Sequence, residues 1–167
     1  MKLMITGLLL MMLAMPSFAL SIGRVDIQRV LISVKQGKNV RAKLKKSFDK
    51  KQKILKAEES KIKKAQKKFK KQSLVMNMKT KLKKEKEIER NIITLRQKSL
   101  EFQKEMQSME GKLKKPILMN IQEVIKAVSV SAKVDITFEA STAPIVYAKN
   151  LSDLTDKVIK AYNKKHK

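Results

Sequence analysis

Four large apolar residues, Phe48, Leu55, Ile62 and Phe69, stand seven apart inside a stretch where almost every second residue is lysine. The 50 positions from Lys38 to Glu87 hold 21 Lys or Arg and 5 Asp or Glu, a local balance of +16. No Pro or Gly falls between Gly37 and Gly111. An apolar heptad in a charged, unbroken background folds as a long helix: its narrow seam meets another helix and its other faces stay in water. Such a stretch is not the core of a conventional enzyme. It must join other helices, and its charge suits something negative.

The heptad continues after a reversal. The outgoing limb runs from about Lys38 to Lys71, on the order of 50 Å at ~1.5 Å per residue. Leu44 and Ala65 fill two of its partner heptad positions, but Lys51 and Glu58 occupy the two between them. Polar residues there are expected to weaken the seam and let the limb bend. The returning limb is cleaner: Ile88, Ile92, Leu95, Ser99, Phe102, Met106, Met109 and Leu113 are spaced 4-3-4-3-4-3-4, with one polar gap at Ser99. Two such limbs most simply pair antiparallel, with the reversal between Gln72 and Thr80. That reversal, Ser73-Leu74-Val75-Met76-Asn77-Met78, is apolar where a solvent-facing turn would be polar. Either these side chains cap the seam, or they form an exposed tip whose flexible methionines adapt to varied partners. Lys79, Lys81, Lys83 and Lys84 lie beside it, and an apolar tip ringed by lysine also suits an anionic lipid surface.

The start of the chain bears on compartment. Met1-Lys2, an apolar run from Leu3 to Met15, and Ser17-Phe18-Ala19 make the pattern of a secretory signal peptide, with cleavage expected after Ala19. The alternative, an uncleaved anchor, needs ~20 apolar residues, and Pro16 and Ser17 interrupt this run. The mature chain then has 148 residues and a net charge of +24. With no cysteine there are no disulfides, no thiol catalysis and no Cys-ligated metal. The one histidine, His166, sits at the tail, so His-based triads and metal clusters are excluded. A GxxxxGK[ST] phosphate loop is absent. The paired carboxylates Glu58-Glu59 and Asp153/Asp156 fit charge balance and helix capping better than catalysis. No cofactor is expected.

Strand patterns flank the long limbs. Ile22 to Ile27 alternates, and Gln28 to Val34 reads as a short helical turn, after which Gly37 can break the chain. Pro116 is expected to kink the returning helix or start a new segment. Ile117, Leu118, Ile121, Val124, Ile125 and Val128 then form a wider apolar face. Val134 to Glu139 alternates as a strand, Ala140 to Pro144 reads as a turn, and Ile145-Val146-Tyr147 as a further short strand. A closing helix starts near Ser152 or Asp153 and buries Leu154, Val158 and Ile159, leaving Asn163 to Lys167 as a polar tail. The fold class is mainly α with a small β body: a long antiparallel coiled-coil hairpin inserted into a short-stranded β/α association domain. Residues 1–19 are the signal, 20–37 and 112–167 the body, and 38–111 the arm with its tip near 72–80. Three short strands are marginal alone, so association between copies is the natural remedy.

The order of these pieces resembles the Skp (OmpH-like) family of periplasmic chaperones over essentially the whole mature chain. The specific matches are Ile22-Gly23-Arg24-Val25-Asp26-Ile27-Gln28-Arg29-Val30-Leu31 with Gly37-Lys38, and Lys115-Pro116-Ile117 with Ile121 and Ile125. Val134-Asp135-Ile136 through Ile145-Val146-Tyr147 and Leu151 to Asp156 complete them. Ser129 to Lys133 departs from the pattern in lacking a glycine before the strand.

The resemblance implies a homotrimer with tentacle architecture that holds unfolded outer-membrane proteins without ATP. For such a holder, the apolar residues of the arm and tip are expected to contact clients: Phe48, Leu55, Ile62, Phe69, Leu74, Val75, Met76, Met78, Phe102, Met106 and Met109. Lys79, Lys81, Lys83 and Lys84 would face polyanions, lipopolysaccharide or an anionic lipid surface. Val25, Ile27, Val30, Leu31, Ile117, Ile121, Ile125, Ile136, Phe138, Val146 and Tyr147 would build the trimer body. Pattern alone also accommodates a periplasmic coiled-coil spacer or adaptor, or an envelope-polyanion binder. Nucleic acid would bind so basic a chain, but export removes it as a physiological partner.

Overall fold

The computed structural model describes residues 20–166; the expected signal segment, 1–19 with its cleavage point after Ala19, lies outside them. The order of elements is β1 (Ile22–Val25), α1 (Ile27–Ser33), α2 (Lys35–Gln72), α3 (Met78–Ser131), β2 (Ile136–Glu139), β3 (Leu151–Asp153) and α4 (Thr155–Lys165). The described chain is mainly helical with one small sheet.

The first strand is shorter than its alternation suggests. Asp26 leaves the sheet and caps α1, its carboxylate accepting from Arg29 N–H at 2.8 Å, so Ile27 opens the helix instead of ending the strand. The break between α1 and α2 falls at Val34, in extended conformation with φ −66° and ψ 149°. Gly37, expected as the breaker, lies inside α2 and is buried. Pro116 likewise does not interrupt α3, which runs on through it for 54 residues in all. Proline removes one backbone donor there, and Ile117, Ile121 and Val124 just beyond it are all buried in the core.

The sheet has the order β2-β1-β3, both pairings parallel. Ile22 pairs with Ile136 on one side and with Leu151 on the other. The crossover from β1 to β2 is the whole helical excursion, so α2 and α3 begin and end at the sheet. The third strand is Leu151–Asp153, not Ile145-Val146-Tyr147. Val146 is 99% exposed and Tyr147 84% exposed, whereas the chain from Leu151 leads straight into the fully buried Leu154, whose N–H donates to the Arg24 carbonyl at 2.8 Å. Ser152 and Asp153 are therefore strand residues, and α4 starts at Thr155. Asp153 still caps it from one position back, accepting from Thr155 N–H at 2.9 Å.

The core sits where the sheet, α1, the last third of α3 and α4 meet. Val25, Val30, Val34, Ile121, Leu154, Val158 and Tyr162 are its fully enclosed members. Burying each such aliphatic side chain contributes roughly 1.5–3 kcal/mol. No core member lies between Val40 and Phe102 along the chain, so the greater part of α2 and the first half of α3 extend away from the body.

Candidate functional site

Beyond the body, among the described residues, α2 and α3 pack against each other. Side chains link the two helices at several levels. Phe48 meets Phe102 with ring centroids 5.5 Å apart and planes at 41°. Lys51 Nζ donates to Glu105 at 2.6 Å, and Lys98 Nζ donates to Glu58 at 2.6 Å. Phe102 is buried; Leu55, Ile62, Phe69, Met106 and Met109 are half-buried. Phe48, though it meets Phe102, stays 42% exposed. Between the helices the packing is loose: a groove of about 250 Å³ opens beside Leu55, Phe102 and the two ion pairs.

Lys51 and Glu58 are not bare defects in the seam. Each has an opposite charge on the facing helix, a pairing legible only once the register of α3 against α2 is known. Elsewhere a few of the lysines find acidic partners within their own helix. Lys63 and Glu59, four apart, form a 2.7 Å ion pair, and the Lys63 hydrogen bond holds the Glu59 carboxyl below its usual range.

The far end is an apolar turn. Ser73 to Asn77 link the helices, Ser73 N–H donating to the Phe69 carbonyl at 2.8 Å, and Asn77 caps α3 by accepting from Thr80 N–H at 2.9 Å. Leu74 is 91% exposed, Val75 88% and Met78 71%; Met76 alone is half-buried. Of the two readings of this turn, only Met76 fits a seam cap, and the other three side chains stand in water. Lys79, Lys81, Lys83 and Lys84 are exposed around them, and Lys84 is paired to Glu87 at 3.0 Å.

At the body, Val25, Val30, Leu31, Ile117 and Ile121 are buried, and Ile27 and Ile125 pack against them. Phe138 is half-buried, whereas Ile136, Val146 and Tyr147 are exposed on the single chain. Arg24 and Asp153 bridge β1 and β3 at 2.9 Å. Hydrogen bonds from Thr155, with help from Arg24, hold the Asp153 carboxyl at about 2. Glu139 folds the loop after β2 around its own carboxylate, which accepts from Ser141 Oγ at 2.6 Å and from the Thr142 and Ser141 N–H groups at 2.7 and 2.9 Å. Those bonds, the Ser141 hydroxyl first, lower its pKa to about 2.

Tyr162 is the body residue that local patterning misses. Its hydroxyl donates to Gln36 Oε1 at 2.6 Å, tying α4 to the root of α2, and burial raises its pKa. Next to it Asn163 Oδ1 accepts from Lys35 N–H at 2.9 Å, satisfying a free donor at the start of α2. The signal was the spacing of Leu154, Val158 and Tyr162 at four-residue steps.

Among the described residues there is no cluster of His, Asp and Glu able to hold a metal ion, and no helix is long and apolar enough to cross a membrane. No curated protein sequence matches the chain. Among solved structures, a candidate outer membrane chaperone (OmpH-like) from Caulobacter crescentus superposes with a TM-score of 0.71 at 18% identity, over 90% of this chain and 88% of that one. At that identity the likeness is one of fold. A family model, Outer membrane protein (OmpH-like), matches residues 21–162, from the residue before β1 to the buried Tyr162 of α4. On that match, the chain belongs to the OmpH-like family.

Proposed function

We propose that this protein is an ATP-independent periplasmic holdase chaperone that keeps unfolded outer-membrane β-barrel proteins from aggregating. In this reading α2 and α3 form an antiparallel coiled-coil arm, three chains associate through their bodies, and the client sits among three arms. The observation that carries it is the build of the α2–α3 pair. A thin, loosely filled seam leaves lysine on its outer faces and ends in an exposed apolar turn of Leu74, Val75 and Met78. Precursors of β-barrels expose apolar strands that aggregate in water, and a holder needs many weak contacts on walls that stay soluble. Lysine supplies repulsion between holders and attraction for acidic clients. The names carried by the family model and the Caulobacter neighbour agree with this reading. No catalytic role is assigned to any residue.

Association is the part that Val146 and Tyr147 serve: side chains this exposed on one chain are suited to meet a second copy. The test dilutes a β-barrel protein from urea into buffer with the chain and follows light scattering. A holdase suppresses scattering near one trimer per client, without nucleotide and at moderate salt. A spacer leaves scattering unchanged, and a polyanion binder loses its effect steeply as salt rises.

A further inference from the structure

We infer that Lys51, Glu58, Lys98 and Glu105 form a charge code that fixes the register of α2 against α3 and opposes a slip by one heptad in either direction. The two ion pairs, Lys51–Glu105 and Glu58–Lys98, belong to one register: seven residues forward on α2 is seven residues back on α3. The apolar seam cannot enforce that choice by itself. Its residues repeat every seven positions, Phe48, Leu55, Ile62 and Phe69 on α2 and Leu95, Phe102 and Met109 on α3, so a heptad slip again sets apolar against apolar. Heptad seams leave register to their polar positions.

The charges break the degeneracy. Slipped seven residues toward the body on α3, Lys51 would face Lys112 and Glu58 would face Glu105, two like-charge pairs in place of two ion pairs. Slipped seven residues the other way, Lys51 would face Lys98, and Glu58 would face Asn91. Each wrong register loses both attractions and gains at least one repulsion. The order Lys then Glu on α2, against Lys then Glu on α3, is what does this; the same four residues with one helix reversed would favour the slipped state. Register in turn decides which residues occupy the turn, and so keeps Leu74, Val75 and Met78 at the far end.

The test uses the absence of cysteine in the chain. Lys61→Cys and Arg96→Cys, both exposed positions, carry spin labels, and labelled chain is mixed with excess unlabelled chain so that the distance read is within one molecule. The Lys51→Glu/Glu58→Lys variant keeps composition and net charge while reversing α2. It should lose the single wild-type distance, toward a displacement of up to roughly 10 Å along the helices, and melt about 4 °C lower. Adding Lys98→Glu and Glu105→Lys should restore both readouts. Retention of the wild-type distance in the α2-reversed variant, whatever its melting point, overturns the proposal; so does failure of the fourfold variant to recover it.

Discussion

Gly37 lies so close to Leu31 that a Cβ added to it would fall 1.7 Å from the Leu31 carbonyl oxygen. The contact is between the backbones of α2 and α1, held together by the tight link at Val34 and by Asn163 and Tyr162 of α4. Neither backbone can withdraw without breaking those bonds. Gly37→Ala should therefore destabilise the protein by about 3 kcal/mol, the upper range for overpacking, read as a lower urea midpoint at fixed protein concentration. A midpoint equal to wild type would mean that the α1–α2 corner is free to open.

Gly111 is the opposite case. It lies within α3, and a Cβ there would meet nothing within 4 Å. Replacing it by alanine removes backbone freedom from the unfolded chain and leaves the folded one as it is. Gly111→Ala should stabilise by about 0.8 kcal/mol, raising the same urea midpoint that Gly37→Ala lowers.

A third substitution concerns the end of α3. Val134 N–H donates to the Ser129 carbonyl and Lys133 N–H to the Val130 carbonyl, both at 3.1 Å, the two bonds of a Schellman motif. The residue that closes this motif is Lys133, in the left-handed region at φ 54°. The turn thus forms without the glycine, at the expense of a crowded lysine Cβ. Lys133→Gly should stabilise by up to about 1 kcal/mol, visible as a rise in melting temperature. A fall would show that the lysine side chain contributes more than its backbone strain costs.

What local patterning reveals and what it hides follow from range. The seam was legible in part because heptad spacing is a local signal: Leu55, Ile62 and Phe69 are half-buried and Phe102 is buried, whereas Phe48 and Ile92, at heptad positions of the same pattern, stay 42% and 43% exposed. The third strand was not. Ile145-Val146-Tyr147 has strong strand propensity, yet β1 pairs with Leu151–Asp153, because the buried Leu154 and the Arg24–Asp153 bridge decide the partner from more than a hundred residues away. Lys51 and Glu58 looked like flaws for the same reason, since their partners Glu105 and Lys98 appear only in three dimensions. Tyr162 was hidden by its neighbours: a polar tail follows it directly, and its helix packs on the distant α1 and α3. At the tip, apolar composition could be read from sequence, but the exposure of Leu74 and Val75 could not.

Acid should weaken the body through Glu139 and Asp153. Both carboxyls are lowered to about 2, from ordinary values of 4.5 and 3.8, and Ser21 lowers Asp135 as well. A depressed folded-state pKa stabilises above the unfolded value and loses that contribution as pH falls through the folded one. Stability should then be level above about pH 4.5 and fall progressively toward about pH 2. Urea midpoints measured across that window should decline less steeply in Glu139→Gln/Asp153→Asn than in wild type. Equal slopes would assign the acid sensitivity to other carboxylates.

The exposed turn offers the sharpest separation of function from fold. Leu74, Val75 and Met78 are 91%, 88% and 71% exposed, so they contribute little to the folded state, and exposed substitutions of this kind usually shift stability by less than about 0.5 kcal/mol. Their apolar surface is available to a client nonetheless. The triple variant Leu74→Ser/Val75→Ser/Met78→Ser should keep the wild-type urea midpoint and helix content, while the amount of chain needed to halve the scattering of a diluted β-barrel protein rises several-fold. The lysines around the turn are untouched, so electrostatic attraction for the client persists, and what is lost is the adaptable apolar contact alone. If the variant suppresses scattering as well as wild type, client contact lies along the arm, where the groove beside Leu55 and Phe102 becomes the next surface to alter.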